Sequence, residues 1–157
     1  MDHVIERDAD ASLYRSHAND LVRFATALVG PFDAQDAVSE AMLSLLRGGG
    51  LEDADHPKAL MYRAVLAKAR SLQRSSFRRR AREQRTAERL AVYEPEVQPE
   101  VFAAVVRLSA QQRACIYLTY WEDLTVGEVA ERLGIGEGTV KGYLARARAQ
   151  LRRVLDV

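Results

Sequence analysis

The sequence predicts an all-α fold of two small helical domains, the C-terminal one a helix-turn-helix. Three observations carry this. Apolar residues recur at helical spacing in nearly every segment, and strand-like alternation is nowhere sustained. Gly30-Pro31, Gly48-Gly49-Gly50, Pro57 and the pair Pro95 and Pro99 punctuate those segments. Residues 124–153, LTVGEVAERLGIGEGTVKGYLARARAQLRR, hold a small residue, a turn glycine and a branched apolar residue at the offsets that two crossing helices need.

The first helix is predicted from Ala9 to Val29, with Leu13, Leu21, Phe24, Ala25 and Leu28 on one side, and Gly30-Pro31 stops it. Asp33 is the expected N-cap of a second helix that runs to about Arg47 over Val38, Met42, Leu45 and Leu46. The triple glycine breaks the chain and predicts a flexible loop, which stays acidic as far as His56. Pro57 suits the first turn of a third helix, which carries Leu60, Met61, Ala64, Val65 and Leu72 and extends to about Leu90. The run Tyr93 to Pro99, with two prolines and, counted through Glu100, three acids, is the best domain boundary. The expected domains are therefore 1–90 and 99–157, joined by a linker over 91–98. Four helical segments follow, roughly 99–107, 110–121, 125–133 and 137–154. Tyr117 and Trp121 are expected in their core.

Composition narrows the function. The net charge of +1 hides a segregation: residues 1–56 hold 4 basic and 11 acidic side chains, 57–92 hold 11 and 2, and 93–157 hold 8 and 9. The central basic block is either a solvated helix face or a polyanion footprint, and a second basic cluster in the C-terminal helix favours the footprint. Arg78-Arg79-Arg80 within it is a solvated helix end or a contact for phosphate or protein. Cys115 is the one cysteine, and His3, His17 and His56 are scattered, so neither a disulfide nor a metal-ligand set is expected. Cys115, in an apolar helix, is expected to be inert. No apolar run approaches the roughly 18 residues of a membrane span, and the acidic start argues against a secretory signal. A cytoplasmic protein with no membrane insertion is the expectation. Paired carboxylates in a recognisable setting, a nucleophile motif and a phosphate-binding glycine loop are missing, so no enzyme, catalytic residue or cofactor is expected. Gly134-Ile135-Gly136-Glu137-Gly138 is glycine-rich but follows a helix, so it is a turn.

The helix-turn-helix holds the most information. Thr125 with Glu128 three residues on forms a capping box for its first helix. Ala130 sits where two helices cross, Gly134 allows the turn, and Val140 plugs the space between them. From Thr139 to Arg153 the second helix carries five basic residues and no acid. Thr139, Lys141 and Gly142 lie near its start, where a recognition helix meets base edges, while Val140, Tyr143 or Leu144, Ala147 and Leu151 keep the apolar spacing. Arg146 and Arg148 are better placed to hold phosphates and set register. A basic C-terminal helix also arises simply because cations favour that end of the helix dipole, but that explains the charge and not the Ala-Gly-Val spacing.

These residues carry a family resemblance. Leu108-Ser109-Ala110-Gln111-Gln112-Arg113, Tyr120-Trp121-Glu122-Asp123-Leu124-Thr125, Glu128-Val129-Ala130, Gly138-Thr139-Val140-Lys141 and Arg146-Ala147-Arg148 resemble sigma region 4 of the sigma-70 family. Leu13-Tyr14-Arg15, Leu21 to Phe24, Leu28-Val29-Gly30 and Asp33 to Ala41 resemble sigma region 2, as does Tyr62-Arg63-Ala64-Val65 with the arginines after it. With no third domain between them, the layout is similar to that of the extracytoplasmic-function (ECF) group. The resemblance implies a non-enzymatic subunit that directs RNA polymerase to promoters. It places Asp36, Ser39, Glu40 and Leu43 on the clamp helices of the polymerase large subunit, with region 4 against the flap of the other large subunit. It places Leu51, Arg63, Ala67, Lys68, Arg70 and Arg74 along the separated −10 strand, with Gly48 to Pro57 as the loop that pockets an extruded base. It puts Thr125, Thr139, Lys141, Gly142, Tyr143, Arg146 and Arg148 at the −35 duplex, and it implies an anti-sigma partner. The sequence departs from the family's pattern at Ala67, where asparagine is usual, at Gly142, where serine or arginine is frequent, and at Leu46 and Leu60, near which many relatives carry an aromatic. The competing reading is an autonomous helix-turn-helix regulator that binds duplex operators without polymerase.

Overall fold

The computed structural model describes residues 2–51, 54–80 and 99–155, and within them the side chains of all but 2–7, 76–80, 99, 102 and 155. The expected continuation of the third helix to Leu90, the linker over 91–98 and the side chains of Arg78 to Arg80 lie outside this description. Among the described residues there are seven helices and no strand: α1 (Asp2–Val29), α2 (Ala34–Arg47), α3 (Pro57–Arg80), α4 (Pro99–Val106), α5 (Ala110–Tyr120), α6 (Val126–Leu133) and α7 (Glu137–Leu155).

The helix ends follow local chemistry. Gly30 takes φ 87° and donates its amide to Thr26 O, closing α1 before Pro31. Asp33 does not cap α2 as expected. Its backbone is already helical, at φ −99° and ψ −9°, so its carboxylate makes no cap bond; only its carbonyl serves, accepting from Ala37 N. The structure adds a capping box that the sequence reading passed over. Ser109 Oγ accepts from Gln112 N at 3.2 Å, and Gln112 Oε1 accepts from Ser109 N at 2.9 Å. α1 begins at Asp2, seven residues before the expected start at Ala9.

Helices α1, α2 and α3 pack pairwise around Leu21, Phe24, Leu28, Val38, Met61 and Val65. In the C-terminal half, α5, α6 and α7 close over Cys115, Leu118, Val129, Leu133, Val140 and Leu144, and α4 lies against α7. The two sets join in one apolar cluster. At the seam, the Phe24 ring lies 4.8 Å from that of Tyr62 and 5.8 Å from that of Tyr117, with the Arg132 guanidinium 4.9 Å above the Tyr62 ring. Phe24, fully buried there, contributes roughly 1.5–3 kcal/mol against exposure.

Polar bonds finish the seam. Arg113 of α5 donates to Leu28 O at 2.6 Å, Val106 O at 2.9 Å and Leu108 O at 3.2 Å. It thereby places a cation on carbonyls at the C-terminal ends of α1 and α4, where the helix dipole favours one. Gln73 of α3 forks the next turn, donating to Leu108 O and accepting from Ala110 N. Trp121 departs from the expected core position. It follows the last residue of α5, stacks on Tyr117 at 6.5 Å between centroids, and remains 79% exposed. The chain leaves the helix there, so the indole lies over the core's edge instead of entering it.

Candidate nucleic-acid interface

The helix-turn-helix comprises α6 and α7. Thr125 N donates to Glu128 Oε2 at 2.8 Å, and Glu128 N to Thr125 Oγ1 at 3.2 Å, completing the expected capping box. Gly134 closes α6 in the left-handed region, at φ 66° and ψ 37°. The amides of Gly134 and Ile135 both turn back to Ala130 O. Ala130 and Val140 are buried between the two helices, as the spacing requires. The stripe Val140, Leu144 and Ala147 fixes which side of α7 faces inward. Thr139, Lys141, Arg146 and Arg148 consequently face solvent, and Gly142 and Tyr143 lie at the edge.

Two of the arginines are already oriented. Arg146 Nε donates to Gly142 O at 3.3 Å, and its guanidinium lies 5.5 Å from the Tyr143 ring centre. A Cβ at Gly142 would stand 3.1 Å from Arg146 Nη2, so the missing side chain leaves room for this fold-back. Arg148 Nε donates to Tyr120 Oη at 2.7 Å and stacks on that ring at 5.5 Å. Thr125 is exposed at the start of α6, on the other helix of the motif.

On α3, Arg63, Ala67, Arg70 and Arg74 are exposed at i, i+4, i+7 and i+11, one continuous helical stripe. Lys68 lies off this stripe and is ion-paired with Glu40 of α2. Arg63 Nη2 donates to Glu131 O at 2.9 Å, near the C-terminal end of α6. A basic residue of the first half thus sits on the turn of the helix-turn-helix, a juxtaposition invisible in the sequence. Leu51 is 2% exposed and belongs to the core, so it holds its loop from inside.

On α2, Ala34, Ala37, Val38, Ala41 and Met42 face the core. Asp36, Ser39, Glu40 and Leu43 therefore form the outward stripe, in which Leu43 is 50% exposed. Leu46, 49% exposed, extends it towards the helix end. An acidic start followed by exposed leucines suits a protein partner better than a polyanion.

The titrating groups perturbed by burial are structural. Burial pushes the Tyr62 hydroxyl up to about 12 and the Cys115 thiol up to about 11. Tyr117 is also raised, by burial and then by the Glu122 carboxylate it bonds at 3.2 Å. Burial, then Lys58, lowers His17. No cluster of potential metal ligands occurs among the described residues, and none of their helices is long and apolar enough to cross a membrane.

Sequence reasoning missed Arg113, Gln73 and Asp10. Arg113 precedes an apolar run and Gln73 lies between Leu72 and Arg74, neither with a cue to its distant partners. Asp10 is 7% exposed, the buried charged residue among those described, and accepts from Leu51 N at 3.0 Å across 41 positions of chain.

Comparison with known proteins agrees with this architecture. Residues 100–151 match the family model described as Sigma-70, region 4. The ECF RNA polymerase sigma factor SigM of Mycobacterium tuberculosis is 35% identical over 159 residues, covering 96% of this chain and 79% of that protein. The RNA polymerase sigma-E factor of Streptomyces avermitilis is 30% identical over 151 residues, covering 90% and 82%. In fold, the chain is similar to the sigma factor RpoE from Bartonella quintana, solved in complex with the anti-sigma factor NepR. The TM-score is 0.58 at 22% identity, covering 94% of this chain and 96% of that one. A helix-turn-helix matched by the region 4 model, and relatives aligned across both halves, place this chain in the family of extracytoplasmic-function sigma factors.

Proposed function

We propose that the chain works as the promoter-selecting, non-catalytic subunit of cytoplasmic RNA polymerase, with residues 1–90 as sigma region 2 and 99–157 as region 4. The observation that carries this is the presence of two kinds of outward surface: basic stripes on α7 and on α3, and an acid-then-leucine stripe on α2 that meets α3 through the Glu40–Lys68 ion pair. An autonomous duplex-binding regulator needs only the first.

In this reading α7 enters the major groove of the −35 element. Thr139, Lys141, Gly142 and Tyr143 meet base edges, and Thr125, Arg146 and Arg148 fix the register on phosphates. The α3 stripe of Arg63, Ala67, Arg70 and Arg74, with Lys68 beside it, runs along the separated −10 strand, which needs a positive track. Arg63 exchanges the Glu131 carbonyl for phosphate when it does so. The loop after α2 receives an extruded base, with Leu51 as its inner anchor. Asp36, Ser39, Glu40 and Leu43 dock on the clamp helices of the polymerase large subunit, and region 4 meets the flap of the other. The acids give that encounter speed and specificity more than raw affinity. An anti-sigma factor that covers these surfaces would hold the chain inactive.

The test is co-purification with core polymerase. The unaltered chain should bind core stoichiometrically. The double variant Asp36→Arg, Glu40→Arg should lose binding while its helical content and melting temperature stay near those of the parent. Equal recovery of the variant on core would refute the docking face.

A further inference from the structure

The loop between α2 and α3 opens with three glycines, which by themselves favour many conformations. Its start is nonetheless bonded at successive points. Gly48 N donates to Ser44 O and Leu45 O, and Gly50 N donates to Leu45 O at 3.0 Å. Leu51 N then donates to Asp10 Oδ1 at 3.0 Å, and Leu51 O accepts from Ala54 N. Asp10 stands on α1, and at 7% exposure its carboxylate has given up most of its hydration. Burying a carboxylate is costly unless hydrogen bonds replace the water, and here the replacement comes from a loop amide. Gly50 has the matching shape. It takes φ 83°, and a Cβ there would lie 2.6 Å from Asp10 Oδ2.

We propose that Asp10 is a positioning residue for −10 recognition: its buried carboxylate fixes the backbone at Gly50-Leu51, and so sets the shape of the loop that receives the extruded promoter base. The role rests on the functional reading above, in which that loop is the base-receiving element. Asp10 touches no DNA. It acts through the Leu51 amide, while the Leu51 side chain seats the same residue in the core. Asp10 and Gly50 form one unit, because the carboxylate occupies the space a side chain at position 50 would need. Without the latch, the glycines let the loop sample other shapes, and discrimination between bases falls before overall binding does.

The experiment uses the full chain assembled with core polymerase on fork-junction promoter DNA, with each −10 position varied in turn. The readout is the ratio of affinities for the preferred and the substituted base, measured well below the melting temperature. Asp10→Ala should reduce that ratio about tenfold at the base the loop receives, the loss of one charge-assisted bond. Affinity for −35 duplex should stay unchanged. Asp10→Asn, whose amide oxygen still accepts from Leu51 N, should stay within about twofold of the parent, since this bond is kept. Gly50→Ala should reproduce Asp10→Ala and add little to it in the double variant. A purely structural Asp10 would lower the melting temperature and leave base selectivity intact; that result overturns the proposal. Alanine at the exposed loop residues Asp55 and His56 separates the two possible failures. If these variants alter selectivity while Asp10→Ala does not, the latch alone is wrong. If no loop variant alters selectivity at any position, the loop is not the base reader and both ideas fall.

Discussion

Gly134 is the residue whose replacement reports most directly on the turn of the helix-turn-helix. Its φ of 66° lies where an L side chain crowds its own carbonyl, which costs alanine about 1–2 kcal/mol. Space is the second problem. An added Cβ would stand 2.5 Å from Arg63 Nε and 2.6 Å from Cζ, so the guanidinium must leave and surrender its 2.9 Å bond to Glu131 O. That bond is exposed, so its loss adds about 0.5–1 kcal/mol. Gly134→Ala should therefore destabilise by about 1.5–3 kcal/mol, lowering the melting temperature by about 3–12 °C for a chain of this size. Urea titration followed by circular dichroism measures it. The Arg63→Ala background separates the two contributions, since there Gly134→Ala should cost only the backbone strain of about 1–2 kcal/mol. A substitution neutral within about 0.5 kcal/mol, the scatter of ordinary surface changes, would refute the left-handed turn. Equal cost in both backgrounds would refute the seat of Arg63 on that turn.

Three further outcomes are expected. Ser109→Ala and Thr125→Ala should each cost about 0.5–2 kcal/mol in denaturation, because each removes the side-chain acceptor of a complete capping box. In fluorescence anisotropy on −35 duplex, Lys141→Ala should lose about 1–3 kcal/mol and relax specificity at one base pair, while Arg146→Ala should weaken all sequences alike. Alkali should destabilise the protein. Tyr62 and Cys115 titrate near 12 and 11 when folded, above their ordinary values of 10 and 9, so the folded state favours their protonated forms. Their contribution is whole below those ordinary values and is lost as the pH rises through about 11 to 12, which melting curves across the alkaline range would record.

The helices were readable in the sequence because apolar period, glycine and proline agree along each segment. The helix-turn-helix was readable in detail: Thr125, Glu128, Ala130, Gly134 and Val140 all act locally, over distances that spacing captures. Asp33 shows where a local rule fails, since a residue of the preferred type caps only if its backbone stays extended, and here it had already turned helical. Trp121 shows the limit of reading aromatics as core, because its position just past the end of α5 decides its exposure. The seam between halves was not readable. Arg113 on Leu28 O, Gln73 on the 108–110 turn and Arg63 on Glu131 O join residues 35 to 85 positions apart. Their backbone partners carry no sequence signature. The outward stripes of α2 and α3 could be placed once the buried face of each helix was known, yet the pairing of Glu40 with Lys68 across them could not.

Run-off transcription with purified core polymerase on a promoter library, with and without this chain, tests the central claim most directly. Transcripts with defined start points that appear only when the chain is added, and that share an upstream pair of elements, are the result the structure predicts. Unchanged transcription, together with tight binding of the free chain to duplex DNA alone, would contradict it.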